Sequence, residues 1–405
     1  MRPLILLLFI LVVSITAHAS DDLYPLHYTV TLLPEQDQAE VVIESDHGGR
    51  LETLDFNISS GRYSDFEGNG ELEIERSRAV WTPPEEDARL SFHVKISHER
   101  DPGEYDARMT PDWALFRGDD IIPAARVSAR GDARAEAYLT FRLPETWTDV
   151  VTGWEKLDDR RFRIDNPERR FDRPTGWMIA GKLSTREEQL GDTTLVVSKP
   201  AGDPMRLMDV VSLITNVWPE FEQAFGQTPP KFAVVGADDP MWRGALSGPN
   251  ALFLHSDRPM VSGNGTSTVV HELVHVVTRI DSHDQSDWLV EGLAEFYAVE
   301  LMYRAGAFTE ARRQWIMDWL KDWSSEIDSL RTEHSASKVT ARAVLLFDEL
   351  DREIREVTGG QRSLDDVTRQ MIQARDVSTD ELKDMVADVM GRPSKTLKSP
   401  LLNPR

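Results

Sequence analysis

His271-Glu272-Leu273-Val274-His275 is followed in the sequence by Trp288-Leu289-Val290-Glu291-Gly292. These two motifs are the most informative part of the chain for its fold. On a helix, residues four positions apart lie on one face with Cβ atoms about 5–6 Å apart, so His271 and His275 can direct two imidazole nitrogens at one metal ion. The surrounding residues are apolar and predict a buried helix: Val269, Val270, Leu273, Val274, Val276 and Val277. The spacing therefore predicts two ligands of a buried metal site.

Glu291 is the predicted third ligand. It lies sixteen residues after His275, near the start of a second apolar stretch, Trp288 to Tyr303, which predicts a helix packed antiparallel to the first. Two imidazoles and one carboxylate, with a fourth position open to water, form a catalytic Zn²⁺ site. Glu272 is rotated about 100° around the helix from His271, so it is predicted to miss the metal and to act as the base for a water activated by zinc. The predicted chemistry is zinc-dependent hydrolysis.

Other polar residues near the two predicted helices have weaker assignments. Glu295 lies one helical turn beyond Glu291, where it could accept the free N–H of a ligand histidine and fix its tautomer. A solvated helix glutamate is the alternative. Asp281 and His283 are rival third ligands, but they lie in a polar stretch that predicts the turn between the helices.

The composition predicts a globular, acidic protein. The chain has 405 residues, of which 40% are hydrophobic and 28% charged, and this is enough for two or three domains. Its formal net charge of −23 repels nucleic acid and anionic lipid, so neither is an expected partner. The chain contains no cysteine, which excludes disulfides and cysteine-ligated zinc.

The N-terminus predicts an exported protein. A basic start at Met1-Arg2-Pro3 precedes an apolar run from Leu4 to Ala17, and Ala17-His18-Ala19 is a typical cleavage site for a signal peptide at residues 1–19. An uncleaved membrane anchor is the alternative, although the run is short for a spanning helix. We expect a periplasmic or extracellular protein without stable membrane insertion, and leave its oligomeric state open.

The chain-wide pattern predicts an α+β multidomain fold. Short alternating stretches predict an N-terminal all-β, sandwich-like domain at residues 20–198. The segment Lys199–Pro204 predicts a linker, which is followed by the domain of the metal helix at 199–330. We expect a C-terminal helical part at 331–392 and a flexible tail at 393–405.

Three local patterns give further expectations. Ala251–His255 predicts an edge strand before the metal helix. Trp315, Trp319 and Trp323 recur at helical spacing, which favours core packing over a substrate platform. Ser363-Leu364-Asp365-Asp366 and Ser378-Thr379-Asp380-Glu381 predict the starts of two capped helices.

These features together resemble the glycyl aminopeptidase family of gluzincin zinc metallopeptidases, relatives of the membrane alanyl aminopeptidases and of thermolysin. The resemblance rests on the β-rich N-terminal half, on the two quoted motifs and on a C-terminal segment, Asp351–Asp366. It implies a thermolysin-like catalytic domain that cleaves a peptide or protein substrate. It also implies that His271, His275 and Glu291 bind zinc and that Glu272 is the catalytic base.

Two departures from this family affect the expected activity. The family's oxyanion-binding tyrosine aligns with Thr340, and His334 is the predicted substitute, with an exposed loop histidine as the alternative. The segment Arg243–Gly248 lacks the glutamate that holds a substrate's amine in aminopeptidases. The family's PDZ-like domain is also expected to be absent. A catalytically impaired zinc-binding protein that recognises peptides is therefore the alternative function.

Overall fold

The structure is a computed structural model, and it describes residues 23–46, 48–165 and 170–403. The predicted signal peptide lies outside the described residues. Among the residues that are described, no helix combines the length and the apolar character needed to cross a membrane.

The first half of the described chain consists mainly of strands, with one short α-helix, α1 (Gly118–Ile121), and two 3-10 turns, Pro34–Gln36 and Gly48–Arg50. In chain order the strands are β1 (Leu23–Leu33), β2 (Gln38–Ser45), β3 (Leu51–Asn57), β4 (Tyr63–Gly68), β5 (Glu71–Glu75), β6 (Arg78–Thr82), β7 (Ala88–Lys95), β8 (His98–Asp101), β9 (Glu104–Met109), β10 (Trp113–Arg117), β11 (Ala125–Ala129), β12 (Arg134–Arg142), β13 (Asp149–Thr152), β14 (Glu155–Asp158), β15 (Arg161–Ile164) and β16 (Trp177–Gly181).

These strands form three sheets around one apolar core. A seven-stranded sheet has the order β14-β15-β12-β1-β2-β7-β4, a five-stranded sheet the order β13-β16-β10-β9-β8, and a four-stranded sheet the order β11-β3-β6-β5. Alternate residues of β1, such as Tyr28 and Val30, are buried, as expected for strands with one face in a core. The prediction of a β-rich N-terminal domain is confirmed.

The second half contains a mixed sheet covered by helices. Its strands are β17 (Leu183–Leu190), β18 (Thr193–Pro200), β19 (Lys231–Ala237), β20 (Ala245–Gly248) and β21 (Ala251–His255), in the order β17-β18-β19-β21-β20. Two short strands, β22 (Asp281–Ser282) and β23 (Asp376–Val377), pair in parallel. The helices are α2 (Leu207–Phe225), α3 (Thr268–Thr278), α4 (Asp287–Arg304), α5 (Glu310–Trp323), α6 (Lys338–Val357), α7 (Leu364–Ala374) and α8 (Thr379–Met390).

Two strand assignments differ from the sequence prediction. The hairpin of β17 and β18 pairs with β19, so it belongs to the sheet of the second domain although the prediction placed it in the first. Strand β21 is central between β19 and β20, and β20 is the edge strand. Both errors have one cause, because alternation or burial identifies a strand without identifying its partner.

In the helical part the predicted caps are confirmed, and the expectations for the tryptophan stripe and for the C-terminal tail are corrected. Ser363 and Ser378 cap α7 and α8 in capping boxes. The core side of α5 consists of Ile316, Met317 and Leu320. Of the tryptophan stripe, Trp319 packs against this core, whereas Trp315 and Trp323 are exposed, so the expected core packing holds for one of the three. The predicted loose tail instead packs on the helices through Leu397 and Leu402, which are both buried.

Candidate metal centre

Helix α3 carries two of the predicted ligands and is fixed at both ends. At its N-terminus the Ser267 hydroxyl accepts a hydrogen bond from the Val270 N–H at 3.3 Å. At its C-terminus Arg279 adopts a left-handed conformation and its N–H donates to the His275 carbonyl. The six apolar residues that predicted a buried helix are all buried. His271 and His275 therefore stand on a helix with little freedom to move.

Helix α4 brings Glu291 to the two histidines. His271 Nε2 lies 3.4 Å from Glu291 Oε2, and His275 Nε2 lies 3.6 Å from Glu291 Oε1. The two Nε2 atoms are 3.2 Å apart. Gly292 allows α6 to approach α4 at this point, because a Cβ there would lie 2.4 Å from the Cβ of Ala343.

The three side chains fit a zinc ion. Zinc–ligand bonds of about 2.1 Å at tetrahedral angles separate ligand atoms by about 3.4 Å, and the three observed separations lie around that value. Two neutral nitrogen donors and one carboxylate are also the donor set of catalytic zinc sites with an open fourth position. We call His271, His275 and Glu291 the metal cluster.

Glu295 lies behind His271, where the sequence predicted it. Its Oε2 accepts the Nδ1–H of His271 at 3.0 Å, which leaves Nε2 of that ring directed at the cluster. Burial lowers the pKa of His271, but hydrogen bonds to Glu291 and Glu295 outweigh it and raise the pKa to about 10. Burial, and then the charge of His271, lower the pKa of His275 to about 4. A metal ion would therefore have to displace a proton from His271, whereas His275 would already be neutral.

Glu272 lies beside the metal cluster without belonging to it. Its side chain is buried, and Oε2 accepts a hydrogen bond of 2.8 Å from the Ser247 N–H of the edge strand β20. Burial raises the pKa of Glu272, while the charge of His271 and the Ser247 hydrogen bond oppose that rise. A carboxylate that is fixed in place with a raised pKa suits a group that accepts and returns a proton.

The contact between Ser247 and Glu272 was not predicted from the sequence. In the sequence, the segment Arg243–Gly248 was notable only for lacking the glutamate that holds a substrate's amine. Because the contact joins a backbone N–H to a residue 25 positions away, no local pattern reveals it. It orients the predicted base from the strand that borders the site.

The rival ligands lie away from the metal cluster. His283 Nδ1 is 3.0 Å from Asp376 Oδ1, and the Asp281 N–H donates to the Arg375 carbonyl, so both residues join the turn to the C-terminal helices. Among the described residues neither is grouped with the two ligand histidines.

The predicted oxyanion residue, His334, is exposed. Its loop is anchored near the N-terminus of α4, where the Ser335 N–H donates to Asp287 at 2.5 Å. Thr340, which aligns with the family's tyrosine, is buried in the first turn of α6. The catalytic role of His334 stays a prediction.

Comparison with known proteins identifies the fold. No protein-family profile and no curated protein matches the sequence. An aminopeptidase N family protein from Idiomarina loihiensis is similar in structure, with a TM-score of 0.64 and 14% identity over 86% of this chain and 70% of that chain. A two-domain M1 zinc metallopeptidase variant bound to L-arginine has a TM-score of 0.62 and 16% identity over 95% of this chain and 94% of that chain.

This chain has the two-domain M1 metallopeptidase fold. Legionella pneumophila aminopeptidase A, in complex with aspartic acid, also has a similar structure, with a TM-score of 0.60 and 12% identity. The match covers 93% of this chain and 49% of that longer chain. At such identities the likeness concerns the M1 fold, and the assignment of individual site residues depends on the geometry described above.

Proposed function

We propose that this protein is a zinc-dependent metallopeptidase. The observation that carries the proposal is the placement of Glu272, a buried carboxylate fixed by the Ser247 N–H beside three side chains that fit zinc. A protein that only bound zinc would not need a base held in this position. Zinc, when bound, would polarise a peptide carbonyl and increase the acidity of water.

Proton transfer, orientation of His271 and substrate binding are assigned to residues of the chain. Glu272 would accept a proton from the attacking water and return it to the leaving amine, a contribution of about 10²–10⁴-fold to the rate. Glu295 would hold His271 in the tautomer that presents Nε2. The edge strand β20 would bind the substrate backbone as an added strand, while its Ser247 N–H remains committed to Glu272.

We also propose that the substrate is a peptide with a free N-terminus. Two of the similar structures are described as an aminopeptidase N family protein and an aminopeptidase A, the latter in complex with aspartic acid. A similar M1 zinc metallopeptidase variant is bound to L-arginine. The sequence resemblance to glycyl aminopeptidases further favours glycine at the cleaved end. Neither nucleic acid nor a membrane is part of the proposal, because the net charge of −23 disfavours both partners.

A peptide library tests the activity. The zinc-loaded chain is incubated with peptides that vary in their first residue, each with a free or an acetylated N-terminus. We expect cleavage of free peptides, with glycine preferred, loss of cleavage on chelation and recovery with added zinc. Acetylated peptides should resist cleavage, and internal cleavage of them would replace the aminopeptidase proposal by an endopeptidase.

Glu272→Gln separates turnover from metal binding. We expect this variant to keep its zinc and to lose about 10²–10⁴-fold in turnover, whereas Glu349→Gln, at an exposed position on α6, should retain full activity. His334→Gln in the same assay tests the predicted oxyanion role. Absence of turnover in the zinc-loaded wild type would instead favour a zinc-binding protein that recognises peptides.

Export is proposed separately, on the N-terminal sequence alone. Fractionation of cells that express the full chain, with N-terminal sequencing of the exported product, tests it. We expect a mature protein that begins at Ser20. Retention of Met1 in the cytoplasmic fraction would contradict this proposal without affecting the peptidase proposal.

A further inference from the structure

A cavity of about 670 Å³ lies where the β-rich domain, the mixed sheet and the C-terminal helices meet. We call it the interdomain cavity. One side is formed by the segment Gly153–Lys156 of the first domain, and the other by Lys231, Arg279 and Arg375 of the second. Its volume falls within the range of about 300–1,000 Å³ that is typical of small-ligand sites.

Three of the four cationic residues that line this cavity come from distant parts of the second domain. Lys231 is the first residue of β19, Arg279 follows the metal helix α3, and Arg375 follows α7. Lys156 and the carboxylates of Glu155, Asp165 and Glu187 also line the cavity. None of Lys231, Arg279 and Arg375 is within ion-pair distance of a carboxylate of the described residues. Arg279 and Arg375 are both exposed, so a ligand from solvent can reach them.

Most hydrogen-bond donors of these cations are not used by the protein. The described bonds are one from Arg279 to the Asn250 side chain, one of 3.2 Å from Arg375 to the Thr278 carbonyl, and one of 2.8 Å from Lys231 to the Trp154 carbonyl. A guanidinium carries five N–H donors in a fixed plane. Both arginines can therefore bind a further acceptor while they keep their present contacts.

The arrangement is unfavourable for the protein alone. Arg279 and Arg375 have φ angles of 49° and 71°, in the left-handed region that is costly for residues other than glycine. Burial, and then the charge of Arg375, lower the pKa of Arg279. Burial also lowers the pKa of Lys231 to about 8. A bound anion would offset the repulsion between Arg279 and Arg375.

We propose that the interdomain cavity binds a phosphate-type oxyanion, free or as the phosphate group of a small organic molecule, through Lys231, Arg279 and Arg375. Two guanidiniums and an ammonium group match the charge and the several acceptor oxygens of a phosphate. The inference goes beyond the proposed peptidase activity and does not depend on it. Such a ligand would contact both domains, one helical turn from His275, and would stabilise their packing.

Titration with inorganic phosphate tests the proposal in the full, zinc-loaded chain. Calorimetry and thermal unfolding are measured against sodium chloride of equal ionic strength, and a second titration uses glycerol phosphate. We expect saturable binding that raises the melting temperature. Tighter binding of glycerol phosphate would indicate an organic phosphate as the ligand, and equal or weaker binding would indicate free phosphate.

Variants locate the binding. Arg279→Gln and Arg375→Gln should each weaken phosphate binding by at least about tenfold. Arg369→Gln is the matched control, because Arg369 is on α7 but pairs with Asp366 and lies outside the cavity. Lys231→Gln should also weaken phosphate binding. If Lys231→Gln does not fold, Arg375→Gln still tests the proposal, because Arg375 is exposed and its replacement should not prevent folding. Equal phosphate affinity in wild type and both arginine variants, or no effect beyond that of chloride, would overturn the proposal.

Discussion

Two clusters in this molecule have nearly the same spacing of ligand atoms but different surroundings. In the metal cluster, Nε2 of each histidine lies 3.4–3.6 Å from a Glu291 oxygen. In the β-rich domain, His98 Nε2 lies 3.7 Å from Asp106 and 3.8 Å from Asp120. We call His98, Asp106 and Asp120 the arginine-bound cluster, because arginines already hold both of its carboxylates.

The difference lies in what the carboxylates already bind. Arg117 is 2.6 Å from Asp106, and Arg62 is 2.6 Å from Asp120. Among the described residues, Glu291 is paired only with the two histidines. A metal ion at the arginine-bound cluster would have to displace guanidinium ions, whereas at the metal cluster it displaces a proton. Spacing alone therefore does not define a metal site.

The largest expected effect is on zinc content, in two matched histidine variants, one from each cluster. His271→Ala removes one of the three proposed zinc ligands, so we expect the purified chain to lose its zinc. His98→Ala should keep the wild-type zinc content, since His98 belongs to the arginine-bound cluster. Metal analysis by mass spectrometry after dialysis measures both. Zinc lost from His98→Ala and kept in His271→Ala would reverse the assignment.

The pH dependence of zinc binding is the second prediction. Between pH 6 and pH 8 His271, with a pKa of about 10, carries a proton that zinc must displace, while His275, with a pKa of about 4, is already neutral. One proton is then released for each zinc ion. The zinc Kd should rise about tenfold for each unit that the pH falls, or about a hundredfold from pH 8 to pH 6.

Calorimetry in buffers of different ionisation enthalpy measures the proton count directly. A Kd that does not change between pH 6 and pH 8, with no proton released, would contradict the protonated state of His271. In the arginine-bound cluster, burial raises the pKa of Asp106, but the hydrogen bond to His98 and then the charge of Arg117 outweigh burial and lower that pKa.

The sequence predicted the metal cluster better than it predicted the surroundings. His271 and His275 share a helix, so their spacing determines their geometry, and the apolar stretch around Glu291 indicated the second helix. Glu295 was also predicted, because it is one turn from Glu291. These are local relations. The likeness of the whole fold to M1 metallopeptidases was anticipated by the same motifs.

Relations between distant segments were not predictable in the same way. The hydrogen bond from Ser247 to Glu272 depends on the position of strand β20 at the edge of the sheet. The pairing of β18 with β19 and the packing of the C-terminal tail are likewise tertiary. A periodic pattern specifies which face of an element is apolar, but not which element covers it.

Glu295→Gln should affect zinc binding less than the loss of a ligand histidine. The amide can still contact His271 but removes one of the charges that raise its pKa. We expect the zinc affinity of the neutral His271 ring, measured after correction for proton competition, to fall by about tenfold or more, and fewer protons to be released per zinc near neutral pH. Glu300→Gln does not serve as a control because Glu300 pairs with two arginines, so the exposed Glu349→Gln is used.

Proton release distinguishes positioning from a structural role for Glu295. A loss of stability alone would lower zinc affinity without changing the number of protons displaced from His271. Unchanged proton release in Glu295→Gln, together with unchanged affinity, would mean that the contact of 3.0 Å does not control the ring.

The smallest expected effect concerns the arginines that distinguish the second cluster. Arg117→Gln leaves Asp106 and Asp120, both largely buried, with fewer charge-assisted hydrogen bonds, so the free energy of unfolding should fall by about 1–2 kcal/mol. Zinc content should stay the same, because Arg62 still holds Asp120. Arg78→Gln, in an exposed pair with Asp55 of the same domain, should change stability less. Denaturant unfolding compares the two variants, and an equal loss in both would show that the arginines add no special stability to the arginine-bound cluster.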